Sequence, residues 1–165
     1  MRISFRTVVV LLAALAVPAG ASAGAAAFKG KVCSLVSSKT VTAIKDVSPA
    51  CSEQSPLPSP GGKDYVGTWK GLTPTTNLQI TIEAFTDPGM LSLATHNLKQ
   101  GLVGTPKSVS GIGNRAFESR SALAVDLKLV TGKYIAIITL SSVRKPPKSP
   151  AELESLGKAV VTALK

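Results

Sequence analysis

The sequence has little of what reactive centres are made from. It holds one histidine, His96, and two cysteines, Cys33 and Cys51. Two sulfurs and one imidazole cannot close a tetrahedral zinc site without carboxylate help, and the cysteines lack the Cys-x-x-Cys spacing of redox pairs. No metal and no cofactor are therefore expected. Aromatic residues make up 4% of the chain. Readers of single-stranded nucleic acid stack bases on aromatic rings, so this scarcity argues against a nucleic-acid partner. There is no Gly-x-Ser-x-Gly elbow to position a nucleophile for a Ser-His-Asp site. Acidic residues are also scarce, 9 against 19 lysines and arginines, which leaves a charge of +10.

The clearest feature present is an export signal. Arg2 and Arg6 give a positive start, Val8 to Val17 is an unbroken apolar run, Pro18 and Gly20 break it, and Ala21-Ser22-Ala23 is a small-x-small site. These are the parts of a cleavable signal peptide, expected over residues 1–23. The triplets Ala23-Gly24-Ala25 and Ala25-Ala26-Ala27 fit as well, so the bond can shift by a few residues. The apolar run is about half the 20 residues that a membrane span needs. Cys33 follows Gly30-Lys31-Val32, well past the apolar core, so no lipid anchor is expected. No Arg-Arg pair is present, which favours general secretion over the twin-arginine route.

Processing at Ala23 leaves 142 residues, with 17 basic against 9 acidic side chains and a charge of +8. That length suits one domain with one real core. The expected layout is a flexible stretch over 24–32 followed by a single domain over 33–165. In an exported chain an even cysteine count predicts a bridge, here Cys33–Cys51. A net positive charge favours anionic surfaces such as envelope polymers or acidic lipids, or it simply keeps the protein dispersed.

Hydrophobic periodicity predicts an α+β pattern. Ser37 caps a helix over 38–46, with Val36 and Val41 placed as a hydrophobic staple. Residues 48–62 are rich in Pro, Ser and Gly and read as a loop. Tyr65 to Lys70 is a short strand, and Leu78, Ile80, Ile82 and Ala84 alternate with polar residues as in a half-buried strand. Asp87 and Pro88 start a second helix whose face holds Leu91, Ala94 and Leu98, ended by Gly101. A strand begins near Ala116-Phe117, and Leu123, Val125, Leu127 and Leu129 mark another. Tyr134 to Leu140 is nearly continuous apolar, as in a central strand. Ser149-Pro150-Ala151-Glu152 is a capping box for a closing helix carrying Leu153, Leu156, Val160 and Leu164. The predicted order is α-β-β-α-β-β-β-α, an antiparallel sheet with helices on one face.

The leader, the Cys33/Cys51 pair around a small helix, the segment Val109 to Phe117, the two alternating strands and the closing helix resemble a group of exported actinobacterial proteins of unknown function. Many of those are lipoproteins, and some related extracytoplasmic domains have a Mog1/PsbP-like α/β/α sandwich. The resemblance implies that fold and an extracytoplasmic location, and it implies no reaction. This sequence departs from the group in lacking a lipobox.

Several motifs have a chemical reading and a plainer one. Gly111-Ile112-Gly113-Asn114-Arg115-Ala116 matches a dinucleotide fingerprint, which needs a strand before it and a helix after it. Phe117 and its successors read as strand, so residues 111–116 are expected to be a tight turn. Ser142/Lys145 and Ser155/Lys158 match Ser-x-x-Lys, but the accompanying Ser-Asp-Asn and Lys-Thr-Gly elements are missing. His96 falls in the second helix, either facing solvent or bonded in the core. Arg144, Lys145 and Lys148 form the densest basic run, a contact for anionic polymer or lipid or else a solvated linker. Tyr65 and Trp69 share a strand face and form either a ligand platform or core. The reading this supports is a secreted, non-enzymatic module binding an envelope partner or small ligand. The alternatives are an electrostatic binder of anionic polymer or lipid, and a small hydrolase using His96 or an unrecognised serine.

Overall fold

The computed structural model of the chain describes residues 28–143 and 150–165. The expected signal peptide, the basic run Arg144, Lys145 and Lys148, and the Ser149 cap lie outside the described residues.

The protein is α+β; its described residues form an open antiparallel sheet of eight strands and three helices. A 3-10 turn, Val32–Ser34, leads into α1, Ser38–Thr42. The strands β1 (Val47–Glu53), β2 (Leu57–Ser59), β3 (Gly62–Gly71) and β4 (Thr76–Phe85) follow, then α2 (Pro88–His96). The chain continues through β5 (Lys107–Ser108), β6 (Arg115–Arg120), β7 (Ala124–Thr131) and β8 (Tyr134–Ser142) to α3 (Pro150–Leu164). Across the sheet the order is β1-β3-β4-β8-β7-β6-β5, with β2 also pairing β3. β1 pairs the C-terminal half of β3 and β2 its N-terminal end, so the two short strands follow one another along one edge.

Three strands are additional to the predicted order. β1 and β2 lie in the Pro-Ser-Gly stretch expected to be a loop, and β5 is only two residues long. Proline is tolerated on edge strands, where no partner needs its missing N–H. Pro49 sits where the β1–β3 register shifts, between Val47 and Cys51. The first helix ends at Thr42, short of the predicted residue 46, and the chain turns at Asp46 with φ 65°. Its cap is as predicted: the Ser37 hydroxyl accepts the Thr40 N–H at 3.2 Å.

The helices do not share one face, which corrects the sequence expectation. α1 and α3 pack with Trp69, Leu78, Ile80, Leu127, Ile138 and their neighbours on one side of the sheet. On the other side, Leu91 and Ala94 of α2 and the following Leu98 cover Phe85, Phe117, Val130 and Ile135. Strict alternation along β8 supplies both layers: Ala136 and Ile138 face α3 while Ile135 faces α2. Beyond α2 that second side is polar, with the Thr139 hydroxyl donating to Asp126 Oδ1 at 2.7 Å.

The packed domain also begins earlier than Cys33. Val32 is buried, and Phe28 packs against the core from the stretch expected to be flexible. Cys33 and Cys51 form the predicted disulfide, Cα atoms 5.8 Å apart, which ties the 3-10 turn to β1. Beside it the Cys33 N–H donates to Glu53 Oε1 at 2.9 Å.

Candidate functional site

The two ends of the sheet differ. At one end the β2–β3 turn, the end of β4 and the β7–β8 turn converge, held by the Phe85 N–H donating to the Lys133 carbonyl and the Thr86 N–H to the Gly61 carbonyl. An open cleft of about 540 Å³ forms there, with Phe28, Tyr65 and Tyr134 among its walls and Lys63 and Lys133 beside them. Phe28 stands edge-on to both tyrosines, with ring centroids 5.2 Å from Tyr65 and 5.8 Å from Tyr134. The Lys133 ammonium lies 5.6 Å from the Tyr134 ring centre. Gly30 lets the N-terminal segment pass over Tyr65. Its φ is 79°, and a Cβ there would meet the tyrosine ring at 2.7 Å.

The arrangement joins apolar ring surface to two cations. Aromatic faces take rings and apolar groups, while lysines supply charge-assisted hydrogen bonds to carboxylates or phosphates.

Of the two aromatics singled out from the sequence, Tyr65 belongs to this cleft and Trp69 does not. They share a face of β3, as alternation requires, but Trp69 is 1% exposed beneath the α1 side of the core. Phe28 and Tyr134 were not singled out. Phe28 precedes the first regular element, and Tyr134 reads as the start of a core strand. Only the folded sheet brings them within reach of Tyr65.

The other sequence motifs have ordinary placements. Gly111 and Gly113 have φ of 76° and 61°, and the chain passes directly into β6. The helix start that the fingerprint needs does not follow it. The Asn114 side-chain carbonyl instead accepts the Gly132 N–H at 3.3 Å, tying two turns together. His96 is exposed at the end of α2, and Ser155 and Lys158 are exposed on α3. Among the described residues no cluster of three His, Cys, Asp or Glu side chains can hold a metal ion. Among the same residues no helix is long and apolar enough to cross a membrane.

A second feature lies under α2. Asp64 and Glu83 are cross-strand partners of β3 and β4 and line a groove with Phe85, Met90, Leu93 and Ala94. Asp64 Oδ1 is buried without a hydrogen-bond partner. Burial pushes the Glu83 carboxyl above its ordinary value of 4.5; Lys128 acts against this shift, and Asp64 adds to it. The folded state therefore binds this proton more tightly than the unfolded chain. The resulting stability is complete below the unfolded value and is lost as pH rises toward the folded one. Glu83→Gln is accordingly expected to raise the melting temperature at pH 7, with the gain shrinking at pH 4. Paired thermal melts at the two pH values check this, and an equal effect at both would contradict it.

Comparison with family models, curated proteins and solved structures finds no match to this chain.

Proposed function

We propose that this protein is an exported, non-enzymatic binding domain of the cell envelope. Its ligand pairs a ring or apolar body with an anionic group, and it binds in the cleft of Phe28, Tyr65 and Tyr134. The observation that carries this reading is the meeting of three aromatic rings with Lys63 and Lys133 at one end of the sheet. Export is supported by the leader over residues 1–23 and by the disulfide, a bond characteristic of oxidising compartments. Helices on both sides of the sheet fit a Mog1/PsbP-like α/β/α sandwich, which we take as the fold type.

The chemistry sets the division of labour. The rings exclude water from one side of the ligand, and the two ammonium groups select its charge. Glucose 1-phosphate and p-nitrophenyl phosphate serve as probes, because each joins a ring to a phosphate. Calorimetry is expected to show saturable binding of at least one of them. Lys63→Ala/Lys133→Ala is expected to weaken that binding by about tenfold or more, since each charge-assisted contact is worth about 1.5–3 kcal/mol. Tyr65→Ala is expected to weaken it by about tenfold while circular dichroism stays unchanged. Binding that survives both variants would place the ligand elsewhere.

A further inference from the structure

The opposite end of the sheet has a different character. Leu72 is 71% exposed in the β3–β4 turn, Leu123 is 52% exposed in the β6–β7 turn, and Val143 is 67% exposed at the end of β8. Isolated exposed apolar side chains are common on protein surfaces. These three are gathered on one edge of the molecule. The Val143 N–H donates to the Thr75 carbonyl at 3.0 Å, and the Ser142 N–H to the Leu123 carbonyl at 2.8 Å. With β3, β4, β8 and β7 adjacent in the sheet, the tips span about 15 Å, three interstrand spacings.

Each tip is held by its own turn. Thr73 Oγ1 lies 3.1 Å from Thr75 Oγ1 and 3.3 Å from Thr76 Oγ1, within the turn that presents Leu72. Ser121 Oγ accepts the Leu123 and Ala124 N–H groups at 3.3 and 3.0 Å. The Leu72 N–H donates to the Asp46 carbonyl at 2.8 Å, which brings the end of the α1 segment alongside. Lys45 and Lys70 are exposed there, with Asp46 as the neighbouring acid.

We propose that this end of the sheet docks on an anionic lipid bilayer, with Leu72, Leu123 and Val143 entering the interface and Lys45 and Lys70 meeting the headgroups. Apolar tips with cations beside them suit interfacial binding to anionic lipid, where apolar burial and headgroup attraction add. A soluble polyanion would engage the cations and leave the apolar tips without a use. The proposal is independent of the ligand cleft, which lies at the other end of the strands.

The test places tryptophan at single positions in the full chain. Leu72→Trp and Leu123→Trp report on the proposed interface. Leu57→Trp is the control, since Leu57 is 53% exposed and pairs with Asp64 toward the cleft end of the sheet. Trp69 is buried and supplies a constant background. With vesicles of phosphatidylglycerol carrying brominated acyl chains, emission from positions 72 and 123 is expected to fall by about half or more, and that from position 57 to hold. Phosphatidylcholine vesicles are expected to leave all three unchanged. In the otherwise native chain, Leu72→Ser/Leu123→Ser/Val143→Ser is expected to lower vesicle binding about tenfold or more. Equal quenching at position 57 would overturn the proposal by assigning contact to another part of the chain. Sedimentation with vesicles but no quenching would overturn insertion and leave headgroup attraction alone. Absence of vesicle binding at low salt would overturn it outright.

Discussion

Replacing Trp69 with alanine is expected to remove about 3–5 kcal/mol of folding free energy, the range for deleting a large buried aromatic. The side chain sits on β3 between Cys51 of β1 and Leu78 of β4 in register, with α1 and the 3-10 turn contributing to the same cluster. The cavity left behind cannot collapse easily, because β3 is held on both sides by hydrogen-bonded neighbours. Urea unfolding followed by circular dichroism measures the loss, since the variant lacks the only tryptophan. Trp69→Phe is expected to cost less and to leave ligand binding in the cleft intact. A loss below about 1 kcal/mol for Trp69→Ala would mean that the indole is not part of the packed core.

The second large effect concerns the Cys33–Cys51 bridge. Cys33→Ser/Cys51→Ser is expected to destabilise the protein by about 3 kcal/mol, on the chain-entropy account of an 18-residue separation. For a domain of this size that corresponds to a melting temperature lower by roughly 10 °C. The structure adds a local consequence. The bridge fastens the segment that carries Phe28 to the edge of the sheet, and Phe28 is one wall of the cleft. Mild reduction is therefore expected to weaken probe binding at temperatures where the sheet is still folded. Calorimetry with and without reductant checks this; unchanged affinity after complete reduction would separate the bridge from the site.

What could be read beforehand follows the range of the interactions involved. β4, β7, β8, the Asp87 cap and the apolar face of α3 are written in residues a few positions apart. The α+β class and the disulfide followed from such patterns and are present in the structure. β1 and β2 were missed because their own residues favour turns. They become strands because β3 offers an unpaired edge, and that edge is made by residues up to 24 positions away, Val47 opposite Gly71. The placement of α2 is equally non-local: Phe117 and Ile135, on different strands, decide which side it covers. Alternation along β3 puts Tyr65 and Trp69 on one face, but it does not separate a ligand platform from core. Tyr65 lies near the end of the sheet and lines the cleft, whereas Trp69 lies beneath α1 and the 3-10 turn. Phe28 and Tyr134 join Tyr65 only in three dimensions.

The position of β8 has a consequence for how the chain reaches this state. β4 is an interior strand of the sheet, yet its second partner begins at Tyr134, and Thr76 pairs with Ser142, 66 residues later. A chain that emerges from its amino end completes the β3–β4 hairpin while one long β-branched edge has nothing to bond. Contacts of such separation form slowly, and an open edge invites pairing with another molecule. The interval between the appearance of β4 and that of β8 is thus the period in which this protein is most exposed to aggregation. Premature truncation before residue 134 leaves that edge permanently open.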